Sequence, residues 1–294
     1  MKYIDEFILD RINSKKTRLE SMVLDRNSLK KILRDILVEF ACVSNSIEGS
    51  TLSLEETRKI IESGNDFLGK APYFQHLTFN HINAFEYINM NTRAPPSING
   101  VLELHEILMK NIDKEAGSFR NKNSGDKMHR KVDEFLEKVN QDSEYHAIEK
   151  AAIVQSFFHQ IRPFNYGTGS TSRLIAKWLL NYHGYIFGLD LNDYEIKYYR
   201  KCAEKAGRGT IYPLVSMMTK CVEGALDHLI SQVTRLNIVS IEDAMKINRM
   251  NLEQMYEGIR SGMIKAYKKD GSIYIINQGI DKITRGAEIL DLII

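Results

Sequence analysis

The segment at residues 159–173, with the sequence HQIRPFNYGTGSTSR, carries the residue types and spacing best suited to chemistry. One apolar helix is predicted to end before Pro163, and a second is predicted to begin at the glycine turn of residues 167–169. Such a turn leaves backbone N–H groups free to converge on an anion, and the dipole of the second helix favours negative charge there. Arg173, expected in the first turn of the second helix, adds a guanidinium suited to phosphate. The segment therefore predicts an anion cradle, although an ordinary glycine loop with Arg173 on the surface fits the same spacing.

A second informative segment, residues 44–49 (SNSIEG), closes a predicted amphipathic helix over residues 29–45. The helix after it is expected to begin at Ser53, because Ser53 and Glu56 have the spacing of a capping box. Taken alone, Glu48 is a solvated glutamate at a helix end.

The elements that must position these two segments are mostly helices. Apolar residues at helical spacing predict further helices over residues 75–90, from residue 101 onward, over residues 145–161 and over residues 174–180. Two regions differ from this pattern. Residues 119–131 are polar and suit a small hairpin or a mobile loop, and Asp270-Gly271 between two β-prone runs predicts a hairpin.

Together these segments resemble the Fic family, whose motif HPFx(D/E)GNGRxxR lies between two helices of a helical core. Residues 162–164 (RPF) stand in the place of HPF, and residues 167–173 (GTGSTSR) stand in the place of GNGRxxR. Residues 44–49 match the family's inhibitory-helix motif, (S/T)xxxE(G/N), in its N-terminal placement. Further similarities follow in the family's order at residues 51–57, 102–105, 116–120 and 198–218.

The resemblance implies a mainly α-helical Fic-type core with a small β-hairpin flap over residues 119–131, and transfer of AMP from ATP to a protein hydroxyl. The flap would dock the target by strand pairing, and a solvated loop is the alternative. The resemblance also implies phosphate contacts from Gly167, Thr168, Gly169, Ser170 and Arg173. It implies an inhibitory role for Ser44, Glu48 and Gly49, in which Glu48 occupies Arg173 and blocks the productive pose of the terminal phosphate.

Four positions depart from the family motif. Arg162 stands where the motif histidine takes the proton from the attacking hydroxyl, and a guanidinium offers no acceptor near neutral pH. Tyr166 replaces the acidic residue that holds Mg²⁺, and a phenol is a poor magnesium ligand. Thr168 and Ser170 replace the asparagine and the first arginine that touch the phosphates. The motif therefore predicts neither a catalytic residue nor a metal ligand in this chain.

We accordingly predict a catalytically impaired member of the AMP-transferase family that acts as a nucleotide-, anion- or protein-binding regulatory module. ATP is the candidate ligand, and the protein partner is unidentified. In such a protein the Glu48–Arg173 ion pair either has only a structural role, holding the N-terminal helix against the core, or still has the inhibitory role that the resemblance implies. The alternative is an active transferase that Glu48 autoinhibits. In that case His159 or His129 would have to act as base, although a histidine beside neighbouring phenylalanines more often packs than reacts.

The C-terminal segment, residues 236–294, resembles a winged helix-turn-helix. Ser240 is predicted to cap its first helix, and residues 252–259 place an apolar stripe on its second. Residues 231–294 hold nine Lys and Arg against eight Asp and Glu, a net charge of +1, which is no electrostatic footprint for DNA. This favours a protein-contact or homodimerisation module, with a DNA-binding regulator as a further alternative.

Composition excludes several classes of protein. The 294 residues include 40 basic and 38 acidic ones, and a net charge of +2 gives no bulk argument for nucleic acid or an anionic membrane. Three well-separated cysteines fit neither a disulfide framework nor a zinc site. With no signal peptide and no apolar run long enough to span a bilayer, we expect a cytoplasmic protein. Three parts are expected: residues 1–92 with the inhibitory-helix motif, residues 93–230 as the Fic core, and residues 236–294.

Overall fold

Twelve α-helices and three β-strands make up the residues that this computed structural model describes, namely 3–20, 26–64, 69–120, 125–233, 237–264, 266–269 and 271–277. The helices are α1 (Glu6–Glu20), α2 (Arg26–Ile47), α3 (Leu54–Ser63), α4 (Pro72–Asn91), α5 (Ile98–Met109), α6 (Gly125–Gln141), α7 (Ala147–Ile161), α8 (Thr168–Tyr182), α9 (Asp193–Gly207), α10 (Tyr212–Val233), α11 (Ile241–Asn248) and α12 (Leu252–Arg260). The strands are β1 (Asn237–Ser240), β2 (Ala266–Lys269) and β3 (Ser272–Asn277). The predicted mainly helical class is confirmed.

Helix α3 shows how local chemistry sets the limits of an element. The Glu56 N–H donates to the Ser53 hydroxyl at 3.2 Å, and the Ser53 N–H donates to the Glu56 carboxylate at 2.7 Å. Both bonds of the predicted capping box are therefore present. The helix ends at Gly64, whose backbone adopts the left-handed conformation with a φ of 65°.

Helix α8 lies at the centre of the fold. Every residue of it from Ser170 to Asn181 is buried, and the helix packs against α2, α4, α5 and α7. The Trp178 indole N–H donates to the carbonyl oxygens of Asn91 and Ala94, at 3.1 and 2.9 Å. An element enclosed on all sides holds its side chains in fixed positions, so the start of α8 is a rigid platform. Within the described ranges, no helix is both long and apolar enough to cross a bilayer.

The flap predicted over residues 119–131 is wrong for most of its length. Residues 125–131 begin helix α6 instead of forming a hairpin or a loop, and residues 121–124 lie outside the described residues. The physical reason is an apolar helix face that continues beyond the predicted segment, with Val132, Leu136 and Val139 all buried. The polar residues that suggested a flap include the solvent side of the first turns of α6.

The C-terminal strands form an antiparallel sheet in the order β1-β3-β2. Strands β2 and β3 are the hairpin predicted around Asp270-Gly271, and Ser240 caps α11 through its hydroxyl as predicted. Strand β1 was not predicted, because four residues carry too little periodicity to mark a strand. The sheet and helices α11 and α12 enclose a small core of their own, formed by Ile241, Ala244, Met255 and Ile275. The domain limits and the winged-helix assignment stay predictions, and residues 278–294 lie outside the described residues.

Candidate functional site

The glycine turn opens α8 as the sequence predicts. Gly167 is the N-cap residue in the left-handed conformation, with a φ of 71°. A side chain at this position would also meet Met109, since an added Cβ would lie 2.5 Å from the Met109 sulfur. The first helical bond runs from the Thr171 N–H to the Gly167 carbonyl at 2.9 Å. The amides of residues 168–170 therefore precede the intrahelical bonds and form the positive end of the helix.

Arg173 lies in the second turn of α8, one turn later than predicted, and it is fully buried. The surface position allowed by the sequence is therefore wrong. Its Nε donates to the Ser44 hydroxyl at 3.0 Å, and its Nη2 donates to the Ser44 carbonyl at 3.0 Å and to the Ser170 hydroxyl at 3.1 Å. Its Nη1 is buried and has no hydrogen-bond partner in the described part of the chain.

Glu48 completes the ion pair with Arg173. Its Oε1 accepts from Arg173 Nη2 at 2.7 Å, and one third of the Glu48 side chain is exposed. The same carboxylate oxygen lies against Gly169, where an added Cβ would collide with it. The two segments singled out in the sequence therefore meet, and the carboxylate of one stands at the N-terminus of the helix begun by the other.

The remaining predicted phosphate and inhibitory residues occupy this same region. Thr168 is partly exposed, and its hydroxyl donates to the Phe164 carbonyl at 3.4 Å. Ser170 is fully buried behind the turn. Gly49 has a φ of 104° and directs the chain away from the end of α2, where the Ser50 N–H donates to the Asn45 carbonyl at 3.0 Å. Gly49 thus turns the chain directly after Glu48, just beyond the end of α2 at Ile47.

Arg162 ends α7 and is exposed, with a left-handed backbone at φ 41°. This conformation costs a non-glycine residue about 1 kcal/mol or more. The neighbouring backbone is held by Arg120, whose N–H donates to the Pro163 carbonyl at 2.8 Å and whose Nη2 donates to the Ile161 carbonyl at 3.1 Å. Tyr166 is 62% exposed. The two replaced motif positions 162 and 166 therefore face solvent on the α7–α8 turn.

His105 holds the α7–α8 turn in place through its two ring nitrogens, and this role was not identified from the sequence. One ring nitrogen, Nδ1, accepts from the Gly117 N–H at 2.9 Å, and the other, Nε2, lies 3.1 Å from the Tyr166 carbonyl oxygen. The ring stacks on Phe164 with centroids 3.7 Å apart. Burial lowers the pKa of His105 to about 4, so the ring is neutral and its two nitrogens suit one acceptor and one donor role. The sequence could not indicate this role, because every residue has a backbone and hydrogen bonds to backbone groups require no particular partner residue.

The two histidines considered as substitute bases are both held by packing against neighbouring helices or rings. His159 packs beside Gly207 of α9, and its Nε2 is buried without a hydrogen-bond partner in the ranges described. Burial, with the charges of Arg173 and Arg162, lowers the pKa of His159 to about 4. His129 lies in α6 with its ring edge-on to Phe119, the centroids 6.4 Å apart. The lowered pKa makes His159 a weak base near neutral pH.

The site thus consists of a glycine turn that joins two packed helices of a helical core, with a glutamate supplied from the end of an earlier helix. Residues 95–180 match the Fic/DOC family. The resemblance to the Fic family that the sequence motifs indicated is therefore confirmed, and residues 95–180 are the part that the family match covers.

Relatives and solved structures agree with this assignment. The Protein adenylyltransferase Fic of Aedes aegypti is 27% identical over 243 residues, which are 77% of this chain and 48% of that protein. The protein of the same name from Nematostella vectensis is 26% identical over 253 residues, covering 80% of this chain and 58% of that protein. The chain thus spans about half the length of the curated relatives it matches.

Among solved structures, residues 134–508 of Fic-1 from C. elegans share the fold, with a TM-score of 0.71 and 24% identity. The match covers 78% of this chain and 72% of that one. A Fic family protein from Desulfovibrio desulfuricans matches with a TM-score of 0.57 and 17% identity, over 95% of this chain and 98% of that chain. The Fic-type helical fold is therefore confirmed.

Proposed function

We propose that this Fic-family protein binds an anionic ligand, with a nucleotide phosphate as the candidate, at the N-terminus of α8 without transferring AMP. It would then act as a regulatory binding module for an unidentified protein partner. The observation that carries the proposal is the Glu48 carboxylate, which is seated between the start of α8 and the fully buried Arg173. A site that holds the chain's own carboxylate can hold a ligand's anionic group in its place.

Three features support an anion site at this position. The amides of residues 168–170 form the positive end of α8. Arg173 keeps its buried Nη1 without a hydrogen-bond partner in the described residues, so a donor remains for an additional acceptor. Glu48 is one third exposed, so a ligand can approach the site from solvent beside the carboxylate that it would replace.

The proposed loss of transfer rests on the residues around the α7–α8 turn. Arg162 has no lone pair with which to take a proton from a hydroxyl. The pKa values of His105 and His159 are both lowered to about 4, which makes each ring a weak base. Tyr166 offers a phenol where a metal carboxylate would be, and the described residues contain no group of three or more His, Cys, Asp and Glu side chains suited to a metal. The donors present at the turn do not fit Mg²⁺.

Calorimetry with ATP, ADP and AMP, each with and without Mg²⁺, tests the anion site in the wild type and in the Glu48→Ala variant. We expect binding that tightens on removal of the competing carboxylate and that does not depend on Mg²⁺. The exposed Glu134 of α6 provides a matched control, because Glu134→Ala removes the same charge elsewhere. Absence of heat up to millimolar ligand in Glu48→Ala would remove the proposal.

The second candidate function is an active adenylyltransferase that Glu48 autoinhibits. The Glu48–Arg173 bond favours it, because the resemblance implies this pairing for inhibition, and the matched relatives carry the name Protein adenylyltransferase Fic. Incubation of the wild type and Glu48→Gly with labelled ATP and candidate proteins separates the two functions. Transfer of label by Glu48→Gly would establish the second function and exclude the first.

For residues 236–294 we propose a protein-contact or dimerisation role in a cytoplasmic protein, in preference to DNA binding. Helix α12 supports this preference, because its exposed charges are two acids and one base, Glu253, Glu257 and Arg260. Such a helix repels a phosphate backbone. A salt-dependent shift of duplex DNA by the full chain would reverse the preference, and a concentration-dependent dimer in light scattering would support it.

A further inference from the structure

The C-terminal turn of α2 places Glu48, and two arginines from other helices hold that turn. A helix end leaves carbonyl groups that the helix itself cannot satisfy. Arg173 of α8 donates to the Ser44 carbonyl at 3.0 Å. One turn further on, Arg200 of α9 donates from Nε to the Ile47 carbonyl at 2.5 Å and from Nη2 to the Ser46 carbonyl. Two cations therefore stand at the negative end of the α2 dipole.

Arg200 comes from a firmly placed element. The preceding residue, Tyr199, is fully buried, and its hydroxyl donates to the Gln155 side-chain oxygen of α7 at 2.5 Å. In the described part of the chain the Arg200 guanidinium has no carboxylate within salt-bridge distance. Its hydrogen bonds go instead to the two carbonyls that directly precede Glu48.

We propose that Arg200 is a positioning residue for Glu48: it fixes the last turn of α2 so that the Glu48 carboxylate stays at the start of α8. This inference deepens the proposed function and rests on it for the ligand. Arg173 binds the Glu48 carboxylate itself, but its contact with the backbone of α2 reaches only as far as the Ser44 carbonyl, one turn before Glu48. Without Arg200, the carbonyls of Ser46 and Ile47 lose a charged donor and the last turn frays. The carboxylate then spends less time in the site, and a competing anion binds more tightly.

Titration with ADP tests the inference in Arg200→Ala, Glu48→Ala and the double variant. We expect Arg200→Ala to bind ADP about fivefold more tightly than the wild type. The same change should have no effect once Glu48 is already Ala, because no carboxylate remains to be placed. Arg200→Lys, which retains one charged donor, should lie between wild type and Arg200→Ala. Arg208→Ala, at the exposed end of the same helix, is the matched control and should leave ADP affinity unchanged.

The outcomes separate this inference from the proposed function. Tighter ADP binding by Glu48→Ala together with unchanged binding by Arg200→Ala would overturn the role of Arg200 and leave the anion site intact. If no variant binds ADP, the proposed function fails. The free energies of unfolding of the variants then test whether Arg200 positions Glu48. Arg200→Ala and Glu48→Ala should then be non-additive in a double-mutant cycle, whereas Arg208→Ala and Glu48→Ala should add. Additivity of the first pair would also overturn the inference.

Discussion

The buried guanidinium of Arg173 donates hydrogen bonds to both backbone and side-chain acceptors. Its partners are the Ser44 hydroxyl and carbonyl, the Ser170 hydroxyl and the Glu48 carboxylate. The charge is fully buried, whereas Glu48 is one third exposed. Removing Glu48 leaves a buried cation beside a helix N-terminus, which is an electrostatically unfavourable arrangement unless an anion replaces the carboxylate. The buried Arg173 charge, which Glu48 neutralises in the fold, therefore favours the binding of an anion when Glu48 is absent.

At this scale the sequence identified the two segments but not all of their contacts. Spacing and the family resemblance indicated Glu48 and Arg173, because both belong to recognisable motifs. His105 and Arg200 were missed, because each binds mainly backbone groups, and any residue can supply a carbonyl or an N–H. Which side chain reaches which backbone group depends on the packing of whole helices.

Gly167 gives a prediction about the glycine turn itself. Gly167→Ala places a side chain in a left-handed backbone conformation and against the Met109 sulfur, 2.5 Å from the new Cβ. We expect a loss of about 2–4 kcal/mol in the free energy of unfolding, from about 1–2 kcal/mol of backbone strain together with overpacking. Urea denaturation measures it. Gly64→Ala is the matched control, with a φ of 65° and nothing within 4 Å, and should show the backbone part alone. Equal losses in the two variants would contradict the contact with Met109.

At the scale of elements, Lys177 joins α8 to α2 and α4 on the side away from the turn. Its ammonium donates to the Phe187 carbonyl at 3.0 Å and lies 5.7 and 4.9 Å from the ring centroids of Phe40 and Phe85. No carboxylate lies within salt-bridge distance of it in the ranges described. Burial lowers the pKa of Lys177 to about 7. The junction between these helices therefore contains a lysine that titrates near neutral pH.

The sign of the resulting pH dependence follows from the two states of the chain. Between pH 7 and the ordinary lysine value of 10.5, the unfolded chain holds a proton that the folded chain lacks, so stability rises with pH across that range. We expect Lys177→Met to remove a slope of about 1.4 kcal/mol per pH unit from the free energy of unfolding between pH 7.5 and 9. Urea titrations at several pH values measure the slope. The exposed Lys197 supplies the control variant Lys197→Met, and an unchanged slope in Lys177→Met would refute the assignment.

The elements differ in how well their sequence predicts them. Elements with a local sequence signal were predicted well: α3 has a capping box, and the sequence between β2 and β3 contains the Asp-Gly pair that predicted their hairpin. The error over residues 125–131 arose because the apolar face of α6 begins near the end of the polar stretch. Strand β1 exists only through pairing with β3, where Asn237 faces Asn277 across the sheet. Pairing over that separation along the chain is a tertiary effect that a local pattern does not contain.

At the scale of the whole molecule, ion pairs connect residues near both ends of the described chain to the helical core. Arg11 and Lys15 of α1 contact Glu223 of α10 at 2.6 and 2.7 Å. Near the other end, Lys268 of β2 lies 3.4 Å from Glu195 of α9. The buried apolar residues of the helical part form one large cluster between residues 4 and 230 and a minor one of Val38, Ala41 and Ile61, whereas a separate small cluster lies between residues 241 and 275. Partly exposed ion pairs contribute little to stability, so the small cluster between residues 241 and 275 should unfold separately from the large one.

Trp178, the only tryptophan, lies in α8 and reports on the large cluster alone. Ile12 of α1 is fully buried in that cluster, and we expect Ile12→Ala to cost about 2–4 kcal/mol and to lower the midpoint of the Trp178 fluorescence transition. Such a shift would place residues 1–92 in one cooperative unit with residues 93–230. Met255→Ala, in the small cluster, should change the circular dichroism transition and leave the Trp178 midpoint in place. The exposed Met263→Ala is its control, and an equal shift of Trp178 by Met255→Ala would show instead that the ion pairs couple both clusters into one folding unit.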